Sequence, residues 1–90
     1  MDNQKIGQFF REDGTLINIP VKTSKKIAVL KLIAKDLEPE LKYSEKDLNQ
    51  IISKYHDDTA AIRRHMIEYQ ILNRDQNSIY WLNKDFTTQN

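Results

Sequence analysis

The sequence has no cysteine. That absence excludes disulfides, thiolate chemistry and cysteine-held zinc. Glycine and proline are scarce, at two residues each. So few turn formers disfavour an all-β sandwich or barrel. No apolar run approaches the roughly 20 residues that cross a bilayer. The N-terminus carries neither the basic nor the apolar region of a secretory signal. A cytoplasmic protein with no membrane partner is therefore expected. Glycine-rich phosphate loops, nucleophile elbows, metalloprotease motifs and Cys/His frameworks are also missing. The chain is accordingly not expected to be an enzyme or to hold a cofactor.

What is present fits one small globular domain. The 90 residues are 39% hydrophobic and 30% charged, a folded rather than disordered composition. A chain of this length buries only roughly 60–65% of its unfolded surface, so dimerisation is a natural supplement to its stability. The net charge is only +1, but it is unevenly spread. Val21 to Lys42 holds six lysines against three acids, and Tyr43 to Asp58 holds two lysines against four acids. Such a distribution can present one basic face.

Periodicity places the elements. Asn3 to Phe10 reads as a short helix, with Ile6, Phe9 and Phe10 forming an apolar stripe suited to a dimer contact. Asp13-Gly14 is a turn, and Thr15 to Ile19 reads as extended before Pro20. A helix is expected from Ser24 to Leu37, capped by Thr23 or Ser24. Its buried stripe would be Ile27, Leu30, Ala34 and Leu37, widened by Ile33, and Pro39 ends it. A second helix is expected from Ser44, its N-cap, to Tyr55. Leu48, Ile51, Ile52 and Tyr55 give it the cleanest helical period in the chain. A third follows from Asp58 to Tyr69, capped by Asp57 or Asp58. Leu48, Ile51, Ile62 and Met66 should form the centre of the core. Ile71–Arg74 and Ile79–Leu82, separated by the turn formers Asp75–Ser78, read as a β-hairpin. Lys42-Tyr43 can add a short third strand. Within that hairpin Tyr80 and Trp81 must face opposite ways.

This order is mostly α with a small β-hairpin, that of a winged helix-turn-helix. Residues 1–20 would be an N-terminal arm, 21–83 the winged-helix domain and 84–90 a frayed tail. The third helix would be the recognition helix. Arg63 and Arg64 are expected to point outward from it, opposite Ile62 and Met66, where a planar guanidinium suits phosphate or guanine. Ala60 would permit close approach to bases. Thr59, Arg74, Lys22, Lys25 and Lys26 are candidates for holding phosphates. The expected partners are double-stranded DNA and a second copy of the chain. The alternative is a protein-interaction module that uses the same helix without binding DNA. His56, Asp57, Asp58 and His65 offer metal-ligand chemistry, but capping accounts for one aspartate and only two histidines exist. No metal is expected.

Several of these residues also form an ordered series. It runs Asp13-Gly14, Ile19-Pro20, Lys25-Lys26, Tyr43-Ser44-Glu45, Leu48-Asn49, His56-Asp57-Asp58, Ile62-Arg63-Arg64, Tyr69, Leu72 and Tyr80-Trp81. It resembles a bacterial domain-of-unknown-function family described as predicted transcriptional regulators, found alone or fused behind ArsR-type helix-turn-helix domains. The Ile-Arg-Arg stretch is also similar to the recognition helix of DeoR-type winged-helix repressors. The resemblance implies a DNA-facing third helix. Two positions depart from it. Gln70 stands where the first family usually has glycine, and His65 where the DeoR-type helix has aspartate.

Overall fold

A computed structural model of the chain describes residues 6–84. The expected stripes do close on one core, but their ends and phases differ from the sequence reading. Among the described residues, three α-helices and a three-stranded antiparallel sheet surround it: α1 (Thr23–Ala34), β1 (Tyr43–Ser44), α2 (Glu45–Ile52), α3 (Thr59–Glu68), β2 (Leu72–Arg74) and β3 (Ile79–Leu82). The sheet order is β1-β3-β2, with Tyr43 opposite Tyr80 and Leu72 opposite Leu82.

The first two helices are shorter than their apolar periods suggest. The turn after α1 tightens to i→i−3 bonds, Lys35 to Leu32 and Leu37 to Ala34. Pro39 disfavours helical backbone at Glu38, and the Glu38 N–H instead donates to the Tyr43 hydroxyl at 2.8 Å. Leu37 is still buried, but beyond the helix. The α2 helix stops at Ile52, where Ser53 donates its hydroxyl to the Gln50 carbonyl and the next backbone bonds shorten to i→i−3. The expected extension to Tyr55 is therefore a turn.

Caps explain two of the three starts. Ser44 accepts from the Asp47 N–H at 3.1 Å, and Asp58 from that of Ala61 at 3.1 Å. The α1 start differs from expectation. Its N-cap is Lys22, with no side-chain cap bond, and Thr23 and Ser24 lie inside the helix. Lys22 takes that place because its carbonyl accepts the first helical bond, from the Lys26 N–H at 2.8 Å.

The core centres on Leu30 and Ile33 from α1, Leu48 and Ile52 from α2, Ile62 and Met66 from α3, and Leu72 and Tyr80 from the sheet. Ile51, expected at the centre, is only partly buried, whereas Ile52 is 1% exposed. The reason is helical phase: Leu48 and Ile52 share one side, and Ile51 is rotated about 100° from Ile52. The expected short helix is a 3₁₀ turn over Ile6–Phe9; its expected start at residues 3–5 lies outside the described residues, as do 85–90 of the tail. Phe9 and Phe10 pack against the chain's own core rather than forming an outward stripe. Leu16 joins that core, its N–H bonded to the Tyr55 carbonyl at 2.6 Å. The segment read as an arm is thus pinned to the end of α2.

The α3 exit is a tight hydrogen-bonded cap. The Ile71 N–H bonds the Met66 carbonyl at 2.8 Å and the Gln70 N–H that of Ile67 at 3.1 Å. This double closure requires a left-handed residue, and Gln70 supplies it with φ of +62°. The hairpin turn places Ser78 at φ +61°, while the Asp75 carboxylate accepts from the N–H groups of Asn77 and Ile79.

Two stability outcomes follow from this packing. In urea melts, Ile52→Ala should cost about 2–5 kcal/mol, and Ile51→Ala less than about 2 kcal/mol. Equal losses would contradict the phase of α2. Gln70→Gly should stabilise the chain by about 0.5–1 kcal/mol, since the left-handed penalty of an L-residue exceeds glycine's entropy cost. A loss of stability in the same melts would contradict the strained exit.

Candidate nucleic-acid interface

The outward face of α3 begins with Ala60 and continues through Arg64 to Ile67 and Glu68, one side of the helix at i, i+4, i+7 and i+8. Ala60, Arg64 and Glu68 are exposed, and Ile67 is half-buried. Between this face and the hairpin runs an open groove of about 620 Å³, lined by Ala60, Arg63, Arg64, Ile67, Glu68, Arg74 and Tyr80. Arg74 lies directly across the ladder from Tyr80. Its guanidinium carbon is 5.8 Å from the Tyr80 ring centre, within cation–π range.

Arg63 departs from the sequence reading. It does not project to solvent beside Arg64; its side chain is only 16% exposed. Nε donates to Asn49 Oδ1 at 2.8 Å, and Nη1 donates to the Tyr80 hydroxyl at 3.1 Å. Nη1 also stands 3.4 Å from Glu45 Oε1, and the Tyr80 hydroxyl donates to that same oxygen at 3.0 Å. Helical phase accounts for the difference. At 100° per residue Arg63 sits one step from Ile62, on the flank that meets α2 and β3, and Arg64 one step further out.

The structure thus brings Ala60, Arg63, Arg64 and Arg74 around one groove. Thr59 is half-buried and lines a neighbouring cleft with Glu45, Lys46, Asn49, Gln50 and Ser53. Lys22, Lys25 and Lys26 lie at the start of α1 and line neither space. No acid lies in the first turn of α1, so the helix dipole leaves that end electropositive.

The residues that the sequence does not reveal are Asn49, Tyr80 and Glu45 as partners of Arg63. In the sequence Glu45 and Asn49 appear only as members of the ordered series, with no link to Arg63. Their meeting with Arg63 spans three elements, which no local pattern encodes.

Elsewhere, the His56-Asp57-Asp58 stretch serves the α2–α3 link. His56 Nδ1 accepts from the Asp58 N–H at 2.9 Å, and Asp58 caps α3. Among the described residues no three metal-ligating side chains gather, and no helix is long and apolar enough to cross a membrane. The Tyr55 hydroxyl donates to Asp36 at 2.6 Å, and this carboxylate pushes its pKa up to about 12. The Thr15 N–H and hydroxyl hold the Asp13 carboxyl below its ordinary value.

The molecule is therefore a small α/β protein with a basic groove between its third helix and its hairpin. The chain belongs to a bacterial family described as "Uncharacterized protein conserved in bacteria (DUF2087)", whose model matches residues 15–82. No curated protein and no solved structure matches the chain.

The contrast between the two arginines is measurable. Arg63→Ala leaves Glu45 and the Tyr80 hydroxyl without their cation and should cost about 1–3 kcal/mol in thermal or urea melts. Arg64→Ala should stay within about 0.5 kcal/mol of the parent. Indistinguishable melts for the two variants would contradict the arrangement.

Proposed function

We propose that this chain is a winged-helix DNA-binding protein, a bacterial or phage transcription regulator that sets α3 in the major groove. The observation that carries the reading is the convergence of Ala60, Arg64 and Arg74 on one groove bridging α3 and the hairpin. An exposed arginine on a helix, with a second basic residue on the adjoining hairpin, suits a duplex that meets both elements. The succession of α1, β1, α2, α3 and a β-hairpin, with the short α2–α3 link, supports a winged helix-turn-helix. The resemblance to predicted transcriptional regulators, alone or behind ArsR-type domains, agrees with it.

In this reading Arg64 meets base edges and Arg74 a phosphate or the minor groove. Thr59 sits at the α3 N-terminus, where a hydroxyl can bond phosphate. Lys22, Lys25 and Lys26 would attract the flanking backbone. Arg63 acts by holding α3 against α2 and β3. A homodimer would let two modules engage two half-sites, since one small module buries little DNA surface.

A second reading is the protein-interaction module. Glu45 neutralises Arg63 in place, and Glu68 lies one turn beyond Arg64 on α3, a mixed-charge face that suits a protein surface as well.

Mobility shifts with random-sequence duplex at low and moderate salt separate the two. The DNA reading predicts binding that weakens with salt, by a log–log slope of about −0.9 per phosphate held. It also predicts a marked loss in Arg64→Ala without a change in the melt. A parent protein that ignores duplex even at low salt, yet captures a protein through α3, would decide for the interaction module.

A further inference from the structure

We infer that the groove selects a single guanine next to a thymine in the DNA major groove, rather than two adjacent guanines. The inference rests on the DNA-binding reading and adds the base chemistry that this face can recognise.

The sequence offers two neighbouring arginines; the fold leaves only one of them able to read a base. A guanidinium grips guanine O6 and N7 through a fork of two N–H groups. One fork is formed by the two Nη atoms, and the side-on fork includes Nε. In Arg63, Nη1 is committed to the Tyr80 hydroxyl and Glu45, and Nε to Asn49. Each fork therefore contains an atom already in use. Breaking these contacts would strip the buried Tyr80 hydroxyl of its donor and Glu45 of its cation. Arg64 has no such commitments: it is exposed and makes no hydrogen bond or ion pair among the described residues.

What flanks Arg64 sets the neighbouring base. Ala60, four residues before it, and Ile67, three after it, lie on the same side of α3 and line the same groove. Neither has a hydrogen-bonding side chain, so each meets a base edge only through apolar contact. In the major groove the apolar feature of a base pair is the thymine methyl. Glu68, the acid on this rim, leans toward His65 on its own helix, with Oε1 3.4 Å from Nδ1. One charged fork between two apolar contacts is complementary to one guanine beside thymine.

The test uses the full chain. Duplexes are selected from a random library at moderate salt, and the dissociation constant is measured for the enriched site. It is measured again with 7-deazaguanine at the guanine and with uracil for the adjoining thymine. The expected site carries one guanine beside a thymine. Removing N7 should weaken binding about tenfold or more. Removing the methyl should weaken it about fourfold. Arg64→Ala should lose the guanine preference, and Ile67→Ala or Ala60→Gly the sensitivity to uracil. These modified-base measurements need no variant, so they stand even where a substitution fails to fold. An enriched pair of adjacent guanines, both sensitive to 7-deazaguanine, would overturn the inference. So would tight binding without base preference, which leaves the DNA-binding reading intact. Failure to bind any duplex at low salt would overturn both.

Discussion

The Tyr80 hydroxyl is the point on which three elements converge. The Tyr80 ring is 1% exposed, in the middle of β3. A buried hydroxyl must keep its hydrogen bonds or its burial becomes costly. Arg63 of α3 supplies a donor and Glu45 of α2 an acceptor, and neither lies on the hairpin. The need to satisfy one phenol therefore fixes the distance between α3 and the sheet. That distance sets the width of the groove that Arg64 and Arg74 both line. Glu45 is 43% exposed, so its carboxylate stays partly hydrated and avoids the full desolvation cost of a buried ion pair.

The same constraint explains what the sequence could and could not reveal. The helices, the hairpin and most of the core were legible, because helical stripes and turn formers are local signals. Ser44 and Asp58 were legible as caps for the same reason. The ends of α1 and α2 were not. Apolar period continues past Ala34 and Ile52, while local side-chain bonds at Ser53 and the proline at 39 end the regular hydrogen bonding first. Of the candidate site, Ala60, Arg64 and Arg74 stand out in the sequence one by one, and it is the fold that lines them along one groove. Arg63 was misread because adjacent arginines look alike in sequence. A 100° step sends one against Asn49 and Tyr80 and the other into solvent.

A division of labour between the arginines follows. Arg63 sets the geometry of the groove, and Arg64 is available for a partner. A net charge of +1 supplies little general attraction for DNA, so recognition in the proposed function depends on a few well-placed groups. The electropositive start of α1 would add reach along the backbone without carrying sequence preference.

The most direct test of the proposed face is an amide and arginine-Nε NMR titration of the labelled chain with a short duplex. The largest shifts are expected at Ala60, Arg64, Ile67 and Arg74, with Trp81 on the opposite side of the hairpin unmoved. Shifts centred on Trp81 and Lys42, or none anywhere as duplex is added at low salt, would contradict it.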